Sequence, residues 1–279
     1  MIRAIFLIGI VLFSVQIIYS QNSTSWKRGS ETGELDLQLF RSTQAINLPT
    51  AETMQTGDFE FEISHRFVPT IKSGGKSLWG FDGPANIRFG LGYAVTNNLV
   101  IALGRSNIYD NYDLTAKYKL LQFRDDLFPV LIDVRGGIAW NTDVPNRSAS
   151  NSRNFQYFGQ LIINTLIFKK FGIGVVPSYL YNSHILCPEA QYSFTIGTYF
   201  QYYFISRWSF IIELNPTVTG FRQFHNPVSF GLELETGGHF FKLIMTNSSR
   251  LNTSQYILGA DDSFSDGKLR FGFSITRTI

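Results

Sequence analysis

Fifteen charged side chains share one parity of an alternating pattern, and any chemistry of this chain would sit among them. The acidic ones are Asp58, Glu60, Glu62, Asp113, Asp133, Glu213, Glu233 and Glu235. The basic ones are Arg66, Arg88, Lys117, Lys119, Arg135, Lys242 and Arg270. The signs nearly balance. If these groups face a common interior, two arrangements are open. Opposite charges on neighbouring strands can pair and fill the space, because a buried charge without a partner is costly. Alternatively they line a narrow water-filled bore and set its ion selectivity. Glycines at the same parity (90, 92, 104, 172, 174, 197, 231 and 272) leave room on several strands and tilt the expectation slightly toward a bore.

Nucleophilic chemistry has weaker support. Lipid hydrolysis would need a Ser–His hydrogen bond and a group that orients the histidine. The histidines are His65, His184, His225 and His239, and none stands in a His-x-Ser pair. His65 lies at the opposite, outward parity, while its neighbour Ser64 points inward. It is read as a contact to lipid headgroups, together with Arg105, which could meet a lipid phosphate, and Arg277, which could snorkel to headgroups near the chain end. The run Asp261-Asp262-Ser-Phe-Ser-Asp266 lacks the glycine and distal glutamate of an EF-hand loop and reads as a solvated acidic loop. No catalytic residue, metal site or cofactor is expected. Cys187 is the single cysteine, which excludes an internal disulfide. No basic run marks a nucleic-acid partner.

The elements that must carry these residues alternate with a period of two. In Gly57–Phe67 the residues Phe59, Phe61, Ile63 and Phe67 take one face and the charged set takes the other. Twelve such segments follow one another: 58–67, 85–95, 99–105, 113–121, 130–140, 155–165, 171–181, 193–203, 208–215, 228–235, 240–246 and 268–279. Pro177 cannot donate to a ladder, so a bulge is expected there. Long and short connections alternate between the segments, and only 122–129 exceeds its place in the rhythm. Long loops at one end and short turns at the other are the signature of a transmembrane barrel. Tyr93, Tyr202 and Trp208 fall at short-turn ends, and Phe67, Trp140 and Tyr181 at long-loop ends, where interfacial rings belong.

Residues 1–20 read as a secretory signal peptide, with Arg3 ahead of the apolar run Ile5–Phe13 and small or apolar Ile18 and Ser20 before the cleavage point. Residues 21–56 are a polar lead segment, periplasmic or entering the barrel mouth, with a short strand conceivable at Asp36–Phe40. Residues 57–279 form the barrel. The fold expected is an all-β, antiparallel up-and-down transmembrane barrel of about twelve strands.

Several pieces resemble a Bacteroidetes-type family of outer-membrane β-barrel proteins that has no assigned function. They are Ile46-Asn47 with Glu52-Thr53, Phe61–Phe67, Gly80–Gly90, Gly104-Arg-Ser106 and Lys117–Leu121. Val68 departs from the glycine usual after His-Arg-Phe. The resemblance implies fold and location, and supplies no catalytic residue. On this reading the protein sits in the outer membrane of a Gram-negative cell after export. Its partners would be outer-membrane lipid and lipopolysaccharide, the barrel-assembly machinery, and a protein partner at the external loops. The leading functional expectation is passive passage of small polar or ionic solutes. The alternative is a closed barrel that presents its long loops.

Overall fold

The computed structural model describes residues 37–279, so the signal peptide and the first part of the lead segment lie outside the described residues. Twelve antiparallel strands form a closed barrel. In chain order they begin with β1 (Phe59–Phe67), β2 (Ala85–Thr96), β3 (Leu99–Ser106), β4 (Asn111–Phe123), β5 (Val130–Asn141) and β6 (Phe155–Ile167). There follow β7 (Phe171–Tyr181), β8 (Tyr192–Ile205) and β9 (Trp208–Leu214), then β11 (Val228–Glu235), β12 (His239–Thr246) and β13 (Arg270–Thr278). Each pairs with its sequence neighbour in the wall, and β13 returns to β1 with Ile63 opposite Ile275. Full closure leaves no open edge. A thirteenth strand, β10 (Thr217–Gly220), is a short extension that pairs with the upper part of β8 after Pro216 has interrupted β9. It is not a wall strand.

All twelve expected segments are present, and their faces agree. Outward rings meet across strands near both rims: Phe59 with Tyr93 at 4.8 Å, Phe171 with Tyr202 at 4.9 Å, and Trp140 with Phe155 at 5.9 Å. Two expectations are corrected. Pro177 makes no bulge: Val175 pairs with Ile163 and Ser178 with Gln160 in one unshifted register. Opposite β8 the register is also continuous, with Pro177 facing Ile196. Residues 37–40 are not a strand. No helix among the described residues is long and apolar enough to cross a membrane, which says nothing against crossing by strands.

The core lies inside the barrel. Residues 37–56 enter at the short-turn rim, where the Leu37 N–H donates to Gln122 Oε1 at 3.2 Å. They rise, reverse at a tight turn closed by Ala45 N–H to the Leu48 carbonyl at 2.9 Å, and descend past Asn97. From the long-loop rim, residues 247–260 fold inward and carry a single-turn helix, α1 (Thr253–Leu258), every residue of which is buried. Wall residues at inward parity are not all polar. Leu131, Ile162, Val176, Ile211 and Ile244 form one apolar cluster with Phe40, Ile46, Leu48 and Tyr256, which come from both inserted segments.

Candidate functional site

The lumen is the site that the sequence singled out, and its charges grip the lead segment. Glu213 on β9 accepts the backbone N–H groups of Ile46, Asn47 and Leu48 at 3.0 Å each, and the Asn47 amide at 2.9 Å. A turn that belongs to no sheet leaves its backbone donors without partners, and a buried carboxylate meets three of them at once. Arg66 on β1 donates through Nη2 to Asn47 Oδ1 at 3.0 Å. Lys242 on β12 donates to Ser42 Oγ at 2.9 Å and to the Gln44 carbonyl at 2.5 Å. Lys117 on β4 donates to the carbonyls of Thr50 and Glu52. Glu60 takes the Thr43 hydroxyl at 2.7 Å. Eight lead residues, 42–44, 46–48, 50 and 52, thus find charged partners on four different strands.

Other members of the set pair along the wall or with the inserted loop. Arg88 binds Asp113 through Nη1 at 2.5 Å and Glu62 through Nε at 3.3 Å. Arg88 Nη1 also donates to Asn252 Oδ1, at the start of α1, at 2.5 Å. Arg135 donates to Gln160 Oε1 at 3.2 Å and Thr253 Oγ1 at 3.1 Å. Glu233 faces Lys242 at 3.3 Å and accepts from Gln201 at 2.8 Å. Asp133 is fully buried and opposite Lys119 in register, with neither carboxylate oxygen hydrogen-bonded among the described residues. Asp58 and Glu235 stand at the short-turn rim, where Asp58 accepts the Gln55 N–H at 3.1 Å and Glu235 faces Arg41 at 3.4 Å.

Arg270 at the start of β13 pairs with the loop that precedes its strand: Asp261 at 2.8 Å and Asp262 at 2.5 Å. The acidic run is therefore not simply solvated. Asp261 also faces Arg250 at 3.2 Å, and Lys268 faces Asp262 at 3.4 Å. Burial would raise the Asp261 carboxyl, but Arg250, the bonds from Ser249 and the charge of Arg270 outweigh it and hold it below its ordinary value.

The room left by most of the inward glycines is occupied by side chains. A Cβ at Gly172 would stand 2.6 Å from the Phe40 ring, one at Gly197 2.6 Å from Leu48, and one at Gly231 3.0 Å from Ile46. At Gly104 the space is filled by the Arg88 guanidinium. Between the two inserted segments lies a chamber of about 80 Å³, lined in part by Glu60, Glu62, Arg88, Lys117 and Arg135.

The outward residues lie where parity puts them. His65 stacks on Phe273 at 4.9 Å and meets Phe67 edge-on at 4.6 Å. Arg277 is exposed. Arg105 is exposed and already held, by Asp110 at 2.5 Å and the Tyr112 hydroxyl at 3.2 Å.

A second concavity, of about 290 Å³, opens at the long-loop rim. Its walls include Tyr109, Asn141, His184, Phe224 and Arg250, and Gln255 and Leu258 of α1 also line it. Arg250 lies 4.1 Å over the Phe224 ring. Burial first, and the charge of Arg250 second, lower the pKa of His184. None of these residues was expected to contribute.

Sequence reasoning also missed the lead-segment residues that the charges hold. Asn47 and Glu52 were the clearest signal available, as polar members of the pieces that carry the family resemblance. Glu52 accepts the N–H groups of Leu39 at 2.7 Å and Phe40 at 2.8 Å. The other signal was apolar residues at lumen parity, which a watery bore does not require.

A family model described as Membrane bound beta barrel domain (DUF5777) matches residues 40–279. Among solved structures the chain is similar to the NanC porin, with TM-score 0.47 and 10% identity over 79% of this chain and 98% of that one. It is also similar to the KdgM porin, with TM-score 0.43 and 10% identity over 79% and 98%. A third is the Acinetobacter baumannii outer membrane protein Omp33, with TM-score 0.42 and 9% identity over 80% and 98%. No curated protein matches the chain.

Proposed function

This chain belongs to the membrane bound beta barrel domain family, and from that premise we propose an outer-membrane, porin-like barrel that stands closed and presents its long-loop face to the exterior. Export with removal of residues 1–20 belongs to the same reading, as do assembly by the outer-membrane machinery and contact with lipopolysaccharide. One observation carries it. Five inward charges that would line a channel, Glu60, Arg66, Lys117, Glu213 and Lys242, are engaged by backbone and side-chain groups of residues 42–52, and apolar side chains of the lead segment fill glycine spaces beside them. The apolar cluster that joins the inserted segments to the wall narrows the polar path open to an ion. The rim concavity is then the feature through which such a barrel would meet a ligand or protein.

A second reading is favoured by the residual chamber. Its five charged walls would form part of a narrow selective passage if residues 37–56 withdrew. Single-channel conductance in planar bilayers tests both. The mature chain and a deletion of residues 37–56 are compared, each shown to be folded by heat-modifiable migration. The closed reading expects silence from the mature chain. Steady, ion-selective conductance from it would overturn that reading. Conductance from the deletion alone would make the lead segment the closing element of a passage.

A further inference from the structure

The connection between β1 and β2 displays apolar side chains that the described residues leave about half exposed. Leu78, Trp79 and Phe81 are 56%, 57% and 49% exposed. They are not carried by a floppy tip. Trp79 N–H bonds to the Gly74 carbonyl at 2.9 Å, and Asp82 N–H to the Ser77 carbonyl at 3.1 Å. At Gly80, φ is +96° and a Cβ would lie 2.7 Å from the Pro69 carbonyl oxygen, so only glycine lets the tip close on its own stem. Leu78 and Trp79 both take left-handed backbone angles, φ 49° and 53°, which side chains of this kind avoid. A strained turn that holds large apolar groups in water would be doubly unfavourable. Such strain usually persists where it serves a contact.

The place of the turn says what the contact is. Phe81 stacks on Phe271 at 4.5 Å and meets Phe67 at 5.1 Å. Both partners are outward residues at the long-loop ends of their strands, so the turn folds over the outside of the wall. It continues the aromatic belt that runs through Phe67, His65 and Phe273. The last loop joins it: Ile71 N–H bonds to the Leu269 carbonyl at 2.7 Å, and Phe264, 44% exposed, lies 6.0 Å from outward Phe230. Lys72 and Lys76 of the same connection are exposed, and neither forms an ion pair with a described residue. Apolar rings beside unpaired ammonium groups at the rim of a lipid-facing wall match an acyl chain topped by a phosphate.

We propose that residues 71–81 form a lip on the outer leaflet that holds an anionic lipid, its acyl chain against Leu78, Trp79 and Phe81 and its phosphate at Lys72 and Lys76. The proposal rests on the membrane reading above, and the test separates the two. The mature chain is placed in vesicles of equimolar phosphatidylcholine and phosphatidylglycerol, with and without brominated acyl chains. The Trp79 signal is the difference between the parent and Trp79→Phe, and outward Trp140 supplies the reference through Trp140→Phe. Quenching of Trp79 by bromine at least as deep as that of Trp140 is the expected result. If Trp140 is quenched and Trp79 answers only to aqueous iodide, the lip fails and the barrel stands. If neither is quenched by bromine, the membrane reading itself is overturned. Native mass spectrometry of the detergent-extracted protein then counts retained lipid. Lys72→Gln and Lys76→Gln are each expected to lower retained phosphatidylglycerol roughly fivefold with phosphatidylcholine unchanged. Unchanged phosphatidylglycerol in the double variant would overturn the phosphate contact.

Discussion

Two segments fill the lumen from opposite rims, and they are held in different ways. Residues 37–56 have no regular structure beyond one tight turn, so their backbone groups must be satisfied from outside. Charged side chains of β4, β9 and β12 do that work. Residues 247–260 carry α1, which satisfies part of its own backbone, and the wall reaches them through their side chains, chiefly Asn252, Thr253 and Gln255. An irregular segment can enter a barrel only if the wall offers it ions or amides. A helical one needs fewer. The apparent pore charges are therefore divided between the two tasks, with Glu213, Lys117 and Lys242 serving the lead segment and Arg88, Arg135 and Arg270 serving the loop.

The largest expected effect that tests this division is at Glu213. Glu213→Ala leaves three buried N–H groups without an acceptor and should cost about 3–5 kcal/mol, the range for breaking a buried charged network. Urea unfolding in micelles gives the total. Hydrogen exchange gives the location, with protection lost at residues 45–50 before it is lost at residues 253–258. Equal loss in both segments would break the comparison. Phe40→Ala comes next, at about 3 kcal/mol, because the ring fills the space over Gly172 and packs edge-on against Tyr199 at 5.5 Å. It too should loosen the lead segment selectively.

On the other side, Asn252→Ala should cost about 1–2 kcal/mol. It removes the contact of Arg88 with the loop but leaves Asp113 and Glu62 in place. Exchange should rise at residues 250–258 and stay unchanged at residues 45–50. The smallest effect is one of pH. The folded pKa of Asp261 is depressed, so its contribution to stability is present above the unfolded carboxyl value, near 4, and fades as pH falls through the lower folded value. The loop should therefore gain exchange below about pH 4, and Asp261→Asn should remove that dependence. An unaltered pH profile in Asp261→Asn would assign the acid response elsewhere.

The wall was legible in the sequence because a strand writes its two faces into alternate residues. Phe59 and Phe61 point out and Glu60 and Glu62 point in whatever else the chain does. The rhythm of long and short connections added the direction of each strand. The candidate site was legible only halfway. Parity identified Glu213, Lys117 and Lys242 as inward, and all three are inward. It could not say what they meet, since Asn47 is 166 residues from Glu213 along the chain. Leu131, Ile162 and Ile211 at lumen parity were the visible hint that something apolar would meet them. The rim concavity and the lip at Leu78–Phe81 had no periodic signal at all, since loop residues obey no two-fold rule.

What the sequence determined by itself is thus the set of properties that local geometry enforces: twelve strands, their faces, the aromatic belts and the closed antiparallel order. The tertiary structure alone decided what occupies the interior. A closed barrel surrounds a space reached from both rims, so inward groups from strands far apart in the chain converge on whichever segments enter. The contents of that space follow from volume and charge matched in three dimensions. Gly172 against Phe40 and Glu213 against the turn at Asn47 are matches of that kind, and no local pattern encodes them.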